Sequence, residues 1–250
     1  FNVRDARGVF GVDLRFKDFI MKSGKYSIPG LPAVYADENE AYTAEIVLAD
    51  ERLELEVTLR YGVLPALDVI TRSTVVSNRG KQMVYLNKVY SACLDFLNGN
   101  HQLLHFYGRH NMERNLERTS VIHGNQKFGS RRGMSSHQHN PFFILADEDT
   151  TEDRGSCYGM AFLYSGNFSF EAEKDQFGQT RVQMGILDEM FDYPLKPDEE
   201  FRSPEAALAY TSDGLEALSH IYHELIRSHI CRGKYKNAVR PALANNWEAT

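Results

Sequence analysis

The stretch LELEVTLR at 53–60 places an apolar side chain at every odd position and a polar one at every even position. Successive side chains of a strand point to opposite faces, so this period sets one face on a core and the other in water. A helix would scatter the same residues around its axis, and the period excludes one here. Similar β-rich runs recur at 45–49, 69–77, 83–94, 160–164, 168–174, 181–186 and 206–210. Turn formers separate them: Asn78-Arg79-Gly80, Asn98-Gly99-Asn100, Ser165-Gly166-Asn167, Phe177-Gly178 and Lys196-Pro197-Asp198. Many strands joined by short turns, without helical crossovers, predict a mainly β, antiparallel sandwich. A chain of 250 residues is long enough to give it a substantial core.

One helix is predicted near the end. Thr211-Ser212-Asp213 can cap it, and Leu215, Leu218, Tyr222, Leu225 and Ile226 follow at helical spacing as far as about Cys231. A basic and polar stretch from Arg232 to Asn237 reads as a linker, and Pro241 introduces a short strand-like run, ALANNWEA at 242–249. The chain opens FNVRDARG, without an initiator Met or a signal-peptide pattern, and closes within that run. Both ends read as cut from something longer.

The net charge of −6 leaves no concentrated basic face for nucleic acid, and no apolar run reaches the length of a membrane span. Cys93, Cys157 and Cys231 lie far apart among apolar or small residues. Reduced core thiols in a reducing, cytoplasmic compartment fit that placement.

The candidates for chemistry gather in RRGMSSHQHNPFF at 131–143. His137 and His139 would face the same way on an extended segment, as two legs of a metal site do, but no third ligand lies at a usual spacing. A Ser136–histidine dyad lacks a strand–elbow–helix context. A polar turn begun by Asn140-Pro141, with the Ser135 and Ser136 hydroxyls on backbone groups, accounts for the same residues. His220 and His223, one turn apart on the predicted helix, could chelate but lack the general-base Glu of a zinc-protease helix, and with His229 in the last turn they suit solvent or packing. Arg109, Arg114, Arg118, Lys127, Arg131 and Arg132 make 109–132 basic, with Glu113 and Glu117 interleaved. This reads as a long charged connection holding i,i+4 ion pairs or a subunit contact. Trp247, the single tryptophan, reads either as a core or interface aromatic or as a ring that stacks on a sugar.

At SSHQHNPF (135–142) and NNWEAT (245–250) the chain resembles the bacterial-type α-galactosidases of glycoside hydrolase family 36. The resemblance extends through GLPAVYADENEA (30–41), DQFGQTRVQMGI (175–186) and CRGKYKNAVRPALANNWEAT (231–250) and covers the chain almost end to end. It implies a large β-supersandwich over 1–210, a helix and linker over 211–238, and the first strand of a catalytic (β/α)8 barrel from 239, cut off at 250. It also implies that Trp247 lines a galactose subsite, that Arg4 reaches a substrate pocket, and that the two catalytic aspartates lie beyond this chain. Residues Arg131, Arg132, Ser136, His137, His139 and Asn140 then belong to a structural signature loop. The family implies a galactoside substrate, a retaining mechanism, a homotetramer, contact with the chain's own barrel, and neither metal nor cofactor. A free-standing carbohydrate-binding sandwich and a sandwich-fold sugar epimerase are the competing readings, the latter needing a catalytic His and Glu on this domain.

Overall fold

A computed structural model of the chain describes residues 1–97 and 99–246. The strands are β1 (Asn2–Arg4), β2 (Arg15–Ser23), β3 (Tyr42–Asp50), β4 (Leu55–Leu64), β5 (Val69–Asn78), β6 (Val84–Lys88), β7 (Tyr90–Phe96), β8 (His101–Arg109) and β9 (Met112–Ser120). They continue with β10 (Gly124–Gly129), β11 (His139–Asp147), β12 (Cys157–Leu163), β13 (Phe168–Lys174), β14 (Thr180–Ile186), β15 (Tyr193–Leu195), β16 (Glu200–Arg202) and β17 (Glu205–Thr211). One helix, α1 (Gly214–Leu225), follows and widens into a π turn at Ile226–Ile230.

Ten strands form one sheet in the order β2-β3-β4-β5-β17-β12-β11-β8-β9, with β16 also on β5. Four more, β10-β13-β14-β7, cover one of its faces, and β1-β6-β15 make a small third sheet. Every pairing between these strands is antiparallel. Alternation along β8 and β11 decides the two faces of the large sheet. Leu103, Phe143 and Leu145 pack with Phe168, Phe170, Val182 and Met184 of the four-stranded sheet. Their neighbours Leu104, Ile144 and Ala146 pack instead with Leu218, Tyr222 and Leu225 of α1. The Phe143 and Phe170 rings stack at 4.0 Å, and each such fully buried side chain contributes about 1.5–3 kcal/mol.

The sandwich reading holds, with four local differences. The run at 83–94 is two strands, because the chain changes sheets at buried Val89. The segment 109–132 is not a long connection but carries β9 and β10. As an exposed edge strand, β9 bears charge on both faces, which blunts unwanted pairing and also hides the strand period. Asp213 makes no side-chain cap on α1. Backbone carbonyls of Thr151, Glu152 and Gly155 accept from the N–H groups of Leu215, Glu216 and Gly214 instead. Of the thiols, only Cys157 is buried, and Cys93 and Cys231 are exposed.

A strap at 24–36 crosses the large sheet. Lys25 Nζ donates to Glu205 Oε1 at 2.5 Å, and the Val34 N–H donates to Glu205 Oε2 at 2.6 Å, so one carboxylate of β17 ties down both ends. Tyr35 then holds the segment after α1. Its hydroxyl donates to the Cys231 carbonyl at 2.9 Å and accepts from Lys236 Nζ at 2.7 Å, while the Arg232 guanidinium lies 4.2 Å above its ring. Residues 239–246 carry no regular secondary structure, and Trp247 with the remainder of the expected strand lies outside the described residues. Among the described residues, no helix is long and apolar enough to cross a membrane.

Candidate functional site

The signature loop begins where β10 ends. A Cβ on Gly129 would stand 2.1 Å from the Phe168 carbonyl oxygen, so only glycine permits the two strands to close there. Beyond it the loop folds over the turn between β12 and β13. The Gly133 N–H donates to Asn167 Oδ1 at 2.6 Å, the Ser135 N–H to the Ser165 carbonyl at 2.8 Å, and Ser130 Oγ to the Met134 carbonyl at 2.5 Å. Ser136 and His139 pair across a tight bridge, with Ser136 Oγ accepting from the Gln138 N–H at 3.3 Å.

That bridge separates the two histidines. His137 is exposed at the turn, whereas His139 is half-buried against Phe128, with ring centroids 5.6 Å apart. They do not converge as metal legs. Among the described residues, no three His, Cys, Asp or Glu side chains are placed to hold a metal ion. Arg132 is exposed and its backbone N–H donates to Ser130 Oγ, while Asn140 is partly buried where β11 begins.

Arg131 leads away from the loop to an acidic segment that sequence reasoning passed over, Asp188-Glu189-Met190-Phe191-Asp192. It forms a bidentate pair with Glu189, its Nε at 2.5 Å. This bond holds the Glu189 carboxyl below the usual carboxylate range. At the other end of the same segment Arg4 Nη2 donates to both carboxylate oxygens of Asp192, at 2.9 and 3.0 Å, with the guanidinium 4.1 Å above the Tyr85 ring. Arg4 and Arg131, 127 positions apart in sequence, therefore clamp one acidic turn from two sides.

Behind the turn lies a charged network. Glu171 accepts from Tyr90 Oη at 2.7 Å and pairs with Lys88 and Lys127, each at 3.1 Å. Asp188 pairs with Lys127 at 2.7 Å. Burial pushes the Glu171 and Asp188 carboxyls up, but these donors outweigh it and both stay below the usual range. Burial likewise pushes the Tyr90 hydroxyl up, so it stays a neutral donor. The signal available in the sequence was the density of opposite charges at 88, 127, 171 and 188–192, which spacing alone could not bring together. The network ties the four-stranded sheet, through β7, β10 and β13, to the small sheet, through β6, and its acids and bases are engaged with one another.

The structure also gathers His105, His139 and Glu117 at the edge of the sandwich, the residue types an epimerase would use. The His105 ring is only 2% exposed and lies under Phe128 at 4.2 Å between centroids, which bars a sugar from it.

Comparison with known proteins comes after this geometry. The family described as Glycosyl hydrolase family 36 N-terminal domain matches residues 1–196, and that described as Melibiase matches residues 200–250. The bifunctional α-galactosidase/sucrose kinase AgaSK of Mediterraneibacter gnavus is 56% identical over 248 residues, covering 99% of this chain and 26% of that protein. The α-galactosidase Mel36A of Lactobacillus acidophilus is 42% identical over 249 residues, covering 99% and 34%. The crystal structure of the GH36 α-galactosidase AgaA from Geobacillus stearothermophilus superposes with a TM-score of 0.96 at 42% identity, covering 99% of this chain and 34% of that one. Variants of AgaA have been solved in complex with stachyose and with raffinose. The chain thus spans about a quarter to a third of the length of these relatives.

Proposed function

This chain belongs to glycosyl hydrolase family 36, whose N-terminal domain it carries, and from that premise we propose that it opens an α-galactosidase acting on terminal α-linked galactose. The observation that supports this most is 56% identity over 248 residues to a protein named for that activity. The substrates proposed are galacto-oligosaccharides of the melibiose and raffinose type, in keeping with the raffinose and stachyose complexes of the AgaA variants.

In this reading residues 1–210 form the supersandwich, 211–238 the helix and linker, and 239–250 the start of the (β/α)8 barrel. The catalytic aspartates, nucleophile and acid/base, lie downstream, with carboxyl groups about 5–5.5 Å apart for a retaining double displacement. Strands of such a barrel present their C-terminal ends to the active site, where Trp247 would stack on the apolar face of galactose. Arg4, saturated by Asp192 and Tyr85, would act at the pocket rim by holding the 188–192 turn in place. The domain would serve as scaffold and oligomer interface in a cytoplasmic homotetramer without metal or cofactor.

Assay of the full-length protein on raffinose tests the reading. The first sugar released should be α-galactose; β-galactose would refute retention, and absence of release would refute the activity. Replacing Trp247 by Ala in that protein should lower kcat/KM on an aryl α-galactoside by about an order of magnitude or more. Unchanged kinetics would remove Trp247 from the subsite. Tight binding of galactose by the 250-residue chain alone, read by calorimetric titration, would instead favour a stand-alone carbohydrate-binding module.

A further inference from the structure

His139 entered as one half of a histidine pair in sequence, but the fold gives it a different partner. On the inner face of the large sheet, the β8–β9 register sets His105 opposite Glu117, and the β11–β8 register sets Phe143 opposite His105 and His139 opposite Tyr107. The two imidazoles come to lie 5.6 Å apart between centroids. Phe128 of β10 closes over both, at 4.2 Å from His105 and 5.6 Å from His139. It is through this contact that the edge of the four-stranded sheet rests on the β8–β9 edge of the large one.

Polar atoms in this seam lack partners. His105 Nδ1, His139 Nδ1 and Asn140 Oδ1 are buried and make no hydrogen bond within the described protein. The facing charges are few. From β9 only Glu117 approaches, its Oε2 3.5 Å from His105 Nε2 and half exposed to water. From β10 the neighbour of Phe128, Lys127, is engaged with Asp188 and Glu171 in the network described above. From β8 the nearby group is the Tyr107 ring at 6.3 Å, and at the hairpin tip Glu113 faces His110 and His137. One half-solvated carboxylate therefore stands against one buried and one half-buried imidazole.

We propose that His105 and His139 form an acid-operated latch at the sandwich edge, closed while both rings are neutral and loosened when either takes a proton. A proton on one ring places a charge under Phe128, and a second proton would add like-charge repulsion across the pair. What loosens is what the pair joins: strand β10, the β8–β9 hairpin and the 131–140 loop that enters β11 through His139.

Burial lowers the pKa of both histidines, with His105 lowering that of His139 further and Glu117 offsetting part of the shift on each. A histidine whose folded pKa is depressed binds fewer protons folded than unfolded. Its contribution is complete above the ordinary histidine pKa of about 6.5 and is lost as pH falls from there through the folded value. The latch is thus closed at neutral pH and opens in mild acid. It does not depend on the galactosidase reading and stands or falls apart from it.

Hydrogen exchange of the full-length protein at pH 7.5 and pH 5.5, corrected for intrinsic rates, provides the test. Amides of β8, β10 and the first residues of β11 should lose protection by about tenfold or more, the equivalent of one pKa unit, while those of β3, β4 and β5 keep theirs. His105→Gln and His139→Gln should each shrink that local loss. Equal loss in all strands, or an undiminished local loss in both variants, would overturn the proposal. If the variants fail to fold, NMR titration of the wild-type imidazoles decides: both must remain neutral at pH 6.5, and a ring already half protonated there ends the idea.

Discussion

A polypeptide stopped at residue 198 will not fold, although the match to the N-terminal domain family ends at residue 196. Strand β17 lies beyond that point and sits between β5 and β12 in the middle of the ten-stranded sheet. Without it, seven β12 residues and four β5 residues lose their ladder partners. Buried Ala206, Ala207 and Ala209 go with it, as do Leu218, Tyr222 and Leu225 of α1, which cover the second face of the sheet. A domain stabilised by about 5–15 kcal/mol in total cannot lose a central strand and one face of its core. Circular dichroism and proton NMR of 1–198 beside 1–232 would check this. The shorter chain should lack dispersed amide signals, and the longer one should have them. A folded 1–198 would mean that β5 and β12 can pair directly, against the register seen. The physical unit thus runs through α1, and the segment matched by the Melibiase family begins inside it.

The second large effect is expected at Glu205. The Lys25 and Glu205 side chains are 1% and 0% exposed, and burial pulls the Lys25 ammonium below the usual lysine range even with Glu205 beside it. A Glu205→Ala change removes the counter-charge and the acceptor of the Val34 N–H together, stranding an ammonium and an amide in the core. Breaking a buried pair in this way costs about 3–5 kcal/mol. Chemical denaturation of the full-length protein should register that loss, with strap residues 24–36 the first to become protease-sensitive. The double change Lys25→Met with Glu205→Leu should recover much of it, because replacing both members by apolar groups of similar volume is often neutral. A single variant as stable as the parent would show that water reaches Lys25, and the strap would then need another anchor.

Much of the β architecture was legible. Alternation at 53–60 marked β4, and the runs at 168–174 and 181–186 match β13 and β14 closely, each being an uninterrupted β-rich run closed by turn formers, although β13 is buried on both faces over Phe168–Ala172. Edge strand β9 was illegible for the opposite reason. Its side chains are mostly exposed on both faces, so no period survives, and only its pairing with β8 makes it a strand. The capping of α1 was misread because Asp213 is of the right type at the right place, yet carbonyls of residues 151–155, some sixty positions earlier, reach the free N–H groups first.

In the candidate site, sequence found the 131–140 loop but assigned His139 the wrong neighbour. A spacing of two residues suggests convergence only if the segment stays extended, and the Ser136–His139 bridge turns it. The acidic turn at 188–192 had no period, motif or spacing to announce it. Its meaning comes from Arg4 and Arg131, which approach from opposite ends of the chain.

By itself the sequence determined the class of fold, the positions of most strands and the helix, and the family, since a two-residue period and long shared strings are local properties. Tertiary structure alone decided where β6 ends and β7 joins another sheet, that β17 belongs at the centre, and that Lys25 finds Glu205 across 180 positions. Those choices rest on which surfaces become buried together. Burial is a property of the closed sandwich, and no stretch of chain carries it in advance.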